Sequence, residues 1–303
     1  MKTSITFLFL LCISSLFAQQ VPDTNFVYNI ENPAYKPGKG PVIMVDDFHY
    51  NFHSIEGRYK PFAKLLRQDG YELDSYGDFF NKAGLEKCRI LVISNALDSS
   101  NIEKWSLPTP SAFTKTEIEE IKNWVHDGGR LFLIADHMPF AGAASELGKA
   151  FGIEYKNCFA KDDREEMPER FCREDGTLPG NRITDGRNDK EKIGTVIAFT
   201  GSAFKIPDGA EPILTLGKFY TLYMPTTAWE FKDDTPTEPG NGYNQGAYMK
   251  YGKGKIVVFG EAGMFSAQLT GISPNQNRMG FNNPRAKQNV QLLLNIIHWL
   301  DED

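Results

Sequence analysis

The sequence predicts an α/β fold built on a doubly wound, mainly parallel central sheet. Two observations carry this. Apolar runs without polar alternation recur as PVIMVDD (41–47), RILVISNA (89–96) and RLFLIADH (130–137), the pattern of strands covered on both faces. Between them lie segments with helical spacing, bounded by caps and glycines, so strand and helix alternate along the chain.

The chain opens on MKTSITFLFLLCISSLFAQQ, which reads as a secretory signal peptide over residues 1–18. Lys2 supplies the positive start, Ile5 to Phe17 the apolar stretch and Ala18 a small residue at the cleavage point. That run is shorter than the ~20 residues a bilayer span needs, and no second run approaches it. The expected location is periplasmic or secreted, with no integral membrane segment after cleavage. Residues 19–40 are polar and rich in Pro and Gly, an extended lead-in to a single domain over 41–303.

Within that domain, Phe62, Leu65 and Leu66 mark a helix that starts near Pro61 and stops at Gly70. TKTEIEEIKNWVHDGG is a second helix. Thr114 or Thr116 caps it, Ile118, Ile121, Trp124 and Val125 form its apolar stripe, and Gly128–Gly129 ends it. AASELGKAFGIEY reads as a helix then a strand, and residues 157–192 as a charged insertion. KIGTVIAFTGSAF, EPILTL, KFYTLYM and TTAWEF are short β-type runs. NQGAYMKYGKGKIVVFGEAG is a hairpin turning at Gly252 to Gly254, and KQNVQLLLNIIHWL a closing amphipathic helix.

A net charge of −6 argues against nucleic acid as a partner; a small-molecule or carbohydrate ligand fits better. Cys88, Cys158 and Cys172 remain after processing. Cys158 and Cys172 bracket a charged loop in an oxidising compartment, where a disulfide between them is expected.

Three stretches resemble the class I glutamine amidotransferase-like superfamily, in its non-amidotransferase branch near the trehalose-utilisation (ThuA-like) group. They are TKTEIEEIKNWVHDGGRLFLIADHMPFAGAASELGKAFG, NRITDGR, and GKGKIVVFGEAGMFSAQL with NVQLLLNIIHWL. The resemblance implies a three-layer sandwich on a flavodoxin-like central sheet. Amidotransferases of this fold carry a cysteine on the turn after a central strand. Here that turn holds Asp136 and His137, and the later strand ends at Glu261 without an adjacent histidine. The nucleophile of glutamine hydrolysis is missing, so the chain is not read as a glutamine amidotransferase.

Ligands of parallel α/β sheets bind beyond the carboxyl ends of strands. Asp47, His49, Asp136, His137 and Glu261 all follow β-type runs and are the candidate catalytic residues, able to activate water without a covalent intermediate. Asn51, Tyr59, Phe140 and Gly142 are candidate substrate contacts. Aromatics such as Phe52 and Trp229 suit a carbohydrate rim. His49, His53 and His137 are a candidate set of ligands for a divalent metal such as zinc. The structural alternative stays open, with His49 and His53 bonding their own loop, Asp136 capping a turn, and small residues at 141–144 packing a helix on the sheet. The expected activity is that of an exported hydrolase-like enzyme on a carbohydrate or related polar molecule. A non-catalytic binding protein and an envelope component are the other readings.

Overall fold

The structure, a computed structural model, describes residues 20–164, 167–272 and 276–303; the expected signal peptide lies outside them. Four strands open the fold: β1 (Val42–Asp46), β2 (Glu72–Tyr76), β3 (Ile90–Ser94) and β4 (Arg130–Ile134). Seven more complete one sheet. They are β5 (Glu154–Asp162), β6 (Gly201–Lys205), β7 (Glu211–Thr215), β8 (Tyr220–Tyr223), β9 (Thr237–Pro239), β10 (Asn244–Tyr251) and β11 (Gly254–Phe259).

The strand order is β9-β8-β5-β6-β10-β11-β4-β3-β1-β2, with β7 also paired to β10. Only the run β11-β4-β3-β1-β2 is parallel. Taken in chain order those five strands are arranged 2-1-3-4-5, the flavodoxin order. The other strands pair antiparallel. The expectation of a mainly parallel sheet is therefore corrected to a large mixed one. The reason is connection length. Strands β10 and β11 are joined by a tight turn, which returns the chain antiparallel, whereas parallel neighbours need a crossover.

Alternation along the parallel strands sorts their side chains onto two cores. Ile43, Val45, Ile90, Val92, Phe132, Ile134, Val257 and Phe259 face Phe62, Leu65 and Leu66 of helix α1 (Lys60–Gln68) and the apolar side of the C-terminal helix Asn289–Asp301. Leu91, Ile93, Leu131, Leu133, Ile256 and Val258 face Ile121 and Val125 of helix α2 (Lys115–His126). Thr114 caps α2 in a reciprocal box with Glu117, an arrangement worth about 1 kcal/mol. No helix among the described residues is long and apolar enough to cross a membrane.

Several expectations change. β2, ELDSY, is a partly exposed edge strand that carries no apolar run. TTAWEF is a loop, with only Thr227 bridged to Ser106. Residues 157–162 continue β5, and Glu169–Cys172 pairs with Thr195–Ala198 in a separate two-stranded sheet. The Cys158–Cys172 disulfide is absent: Cys88, Cys158 and Cys172 are all free and buried. Each of the last two sits in a strand of a different sheet, so apolar burial holds the segment the bridge was expected to close. Burial pushes the Cys158 thiol up to about 12, which keeps it protonated and unreactive. Thiol titration of the denatured chain from residue 19 onward should return three free thiols, slow to react before denaturation; a single one would restore the bridge.

Candidate functional site

The parallel register brings the site together. Ile134 of β4 pairs with Phe259 of β11 and with Ser94 of β3. Two residues beyond the first pair stand Asp136 and Glu261, and one residue beyond Ser94 stands Asn95. The loop after β1 adds Phe52 and His53. These residues line a cavity of about 240 Å³ together with His137, Trp105, Phe140, Phe199, Thr200 and Trp229. A larger depression of about 730 Å³ near Arg89 and Arg130 lies at the opposite, amino ends of the strands.

Asp136 and Glu261 are both buried. Burial, then the charge of Asp136, pushes the Glu261 carboxyl well above the usual carboxylate range, against the main-chain N–H groups of Met264 and Gly263 that favour its ionised form. Those N–H groups donate to it at 2.8 and 2.7 Å. A Cβ at position 263 would lie 2.9 Å from Glu261 Oε1, so a larger residue there would make the carboxyl shift. Burial also raises Asp136, while the neighbouring His137 and its N–H, donated at 2.7 Å, hold the rise back. Both carboxyls are therefore pushed toward holding a proton, Glu261 more strongly than Asp136.

His137 donates Nδ1–H to the Met138 carbonyl at 2.7 Å, which leaves the lone pair on Nε2 when the ring is neutral. The ring stacks on Phe159 at 4.4 Å and meets Trp229 edge-on at 4.8 Å. His53 is buried without a carboxylate, and burial lowers its affinity for a proton well below the ordinary value, with Arg58 and His137 adding to the effect. Its Nδ1 lies 3.2 Å from Asn95 Nδ2, while Asn95 Oδ1 accepts the Asp136 N–H at 2.9 Å. A chain of bonds thus runs from His53 through Asn95 to the Asp136 backbone. Asn95, Thr200 and Trp229 have φ of 52°, 79° and 68°. Three of the four non-glycine residues with left-handed φ among the described residues thus line this one cavity. Strain of this kind, ~1–3 kcal/mol per residue, is held by the surrounding structure and collects at binding sites.

Of the candidate catalytic residues, Asp136, His137 and Glu261 share the cavity. Asp47 is exposed beside Ser75 and His49 is buried elsewhere. His49 Nδ1 bonds Asp46 at 2.9 Å and Nε2 bonds Glu117 at 2.8 Å, and the ring stacks on Phe80. The sheet separates the two loop histidines, since His49 packs with Phe80 and Phe113 on the α2 face and His53 against Tyr59 on the α1 face. The proposed metal triad His49, His53 and His137 is corrected accordingly, because both ring nitrogens of His49 are engaged. Among the described residues no group of three His, Cys, Asp or Glu side chains is placed to hold a metal ion.

The candidate substrate contacts divide likewise. Phe140 lines the cavity. Asn51 holds the loop through Asp46 and the Ser94 carbonyl. Tyr59 is fully buried and donates to the Ala262 carbonyl. Gly142 packs so closely that a Cβ would meet Thr109 Oγ1 at 2.1 Å, and its N–H is taken by Asn157. Asn95, Trp105 and Thr200 were not singled out from sequence. Asn95 carries the same signal as the others, a polar residue closing an apolar run.

The N-terminal domain of mmIFT52 matches with a TM-score of 0.60 at 16% identity, covering 86% of this chain and 98% of that one. The likeness is one of fold. ThuA-like proteins from Bacteroides uniformis and Parabacteroides merdae match with TM-scores of 0.48 and 0.44 at 13% and 12% identity. They cover 90% and 87% of this chain, and 94% and 90% of their own. No family model matches the chain, nor does any curated protein.

The His49 clamp has a stability signature. Burial alone would lower the affinity of His49 for a proton, but Asp46 and then Glu117 outweigh it and raise it. A histidine raised in the folded state adds stability that is complete below its unfolded value, near 6.5, and fades as pH climbs through the folded one. His49→Ala should cost about 3–5 kcal/mol at pH 6, because two buried carboxylates lose their partner. Urea unfolding should show that gap narrowing at pH 9. An equal gap at both pH values would mean the ring is neutral.

Proposed function

We propose that the cavity is the reaction site of an exported hydrolase-like enzyme acting on a small carbohydrate or related polar molecule, with water as the attacking group. The observation that carries this is the buried Asp136–Glu261 pair, set by the β4–β11 register and standing beside His137. Two carboxyls whose surroundings separate their proton affinities supply an acid and a base in one place. In this reading Glu261, the carboxyl raised more strongly, keeps a proton at neutral pH and donates it to the leaving group. Asp136 or the Nε2 lone pair of His137 accepts the proton of the attacking water. The aromatic wall of Phe52, Trp105, Phe140 and Trp229 offers apolar faces to a sugar ring and limits bulk water. The volume suits a ligand about the size of a monosaccharide rather than the ~300 Å³ and above of drug-sized pockets. Beneath this lies a fold reading: a three-layer sandwich of the glutamine amidotransferase-like kind, supported by the 2-1-3-4-5 strand order and by cores on both faces of the parallel strands.

A second reading, a binding protein that keeps the fold without turnover, is favoured by the amide bonds to both oxygens of Glu261, the pattern of a carboxyl that shapes its own turn. A panel of glycosides and esters separates the two. On the enzyme reading Asp136→Asn lowers kcat by ~10²-fold or more, and the rate falls as pH rises through the elevated Glu261 value, because the acid is then lost. Unchanged turnover in folded Asp136→Asn would move the chemistry elsewhere. Binding without turnover by the unaltered protein would establish the second reading.

A further inference from the structure

Resting on that cavity as the ligand site, we propose that it selects a ligand carrying a positively charged nitrogen, an amino sugar or a small alkylammonium, over neutral or acidic analogues. Among the described residues lining the cavity there are two carboxyl groups and no lysine or arginine. The Arg58 guanidinium is engaged with Phe52, lying 3.7 Å from the ring centroid and donating to its carbonyl at 3.1 Å. An acidic ligand would therefore meet the carboxyls in a place of low dielectric, where His137 is already engaged beside Asp136 and Arg58 sits behind Phe52, and like charge there costs more than in water.

The rest of the wall points the same way. Phe52, Trp105, Phe140, Phe199 and Trp229 contribute aromatic rings, whose faces carry partial negative charge and attract ammonium groups by up to about 2 kcal/mol when desolvated. Trp229 is 51% exposed and held at φ 68°, with its ring edge-on to His137 and Phe159. An exposed tryptophan in a strained backbone conformation at a cavity rim is a costly arrangement for the free protein, and a cation against its face gives it a partner. His53 remains neutral and adds no positive charge to oppose the ligand.

Calorimetric titration of the mature protein at pH 7 with glucosamine, glucose, glucuronate and choline tests this. Glucosamine should bind at least about tenfold more tightly than glucose, with glucuronate weakest. Asp136→Asn should reduce the preference for glucosamine over glucose to about twofold, and Trp229→Ala should weaken glucosamine and choline together. Glucose binding as tightly as glucosamine would overturn the cation preference and leave the carbohydrate reading standing. Choline binding while all three sugars fail would support the preference and overturn the carbohydrate reading. Failure of all four at millimolar concentration would overturn both.

Discussion

The parallel pairing of β4 with β11 sets the terms for everything at this end of the molecule. It puts two carboxyl groups, Asp136 and Glu261, side by side where the sheet ends and water is scarce. Carboxylates in such surroundings are costly to keep ionised, so the proton affinity of both is raised, that of Glu261 the more. The main-chain amides of residues 263 and 264 position Glu261, and the Asn95 side chain positions Asp136 through its N–H. Left-handed backbone at Asn95, Thr200 and Trp229 completes the wall. The stable sheet beneath holds that strain in place.

The same strand ends also show how position alone misleads. Asp46, His49 and Glu117 form a buried acid–histidine–acid chain that resembles catalytic machinery, yet every polar atom of the imidazole is committed to locking the β1 loop onto α2. Glu117 also closes the cap of that helix and accepts the Phe80 N–H. One carboxylate thus ties a helix start, a loop and a histidine together, a structural task that accounts for its ionised state.

The covered strands, the capped α2 and the final hairpin were legible because each carries its own local signal, whether an apolar run, a capping box or a glycine turn. The strand-end rule also found Asp136, His137, His53 and Glu261. The antiparallel extension was not legible, because short β-type runs do not reveal which neighbour they pair with. Strand β2 escaped because an edge strand needs no apolar run. Four residues apart, His49 and His53 look like one group in sequence, whereas the loop carries them to opposite faces of the sheet. Gly142 and Tyr59 look like ligand contacts in sequence but serve packing, a distinction that depends on neighbours far along the chain. Compartment and spacing point Cys158 and Cys172 to a bridge, whereas the core that each strand faces decides their fate.

The chemistry proposed for the cavity requires one proton shared between Asp136 and Glu261. Carbon-13 NMR of protein labelled at the glutamate and aspartate side-chain carboxyl carbons measures it directly, with Glu261→Gln assigning the resonance. The expected result is a glutamic acid that remains protonated at pH 7 and titrates only above it, with the Asp136 signal shifting in the Glu261→Gln variant. Every glutamate titrating within the ordinary range near pH 4–5 would contradict the pair, and with it the acid, the base and the charge of the cavity.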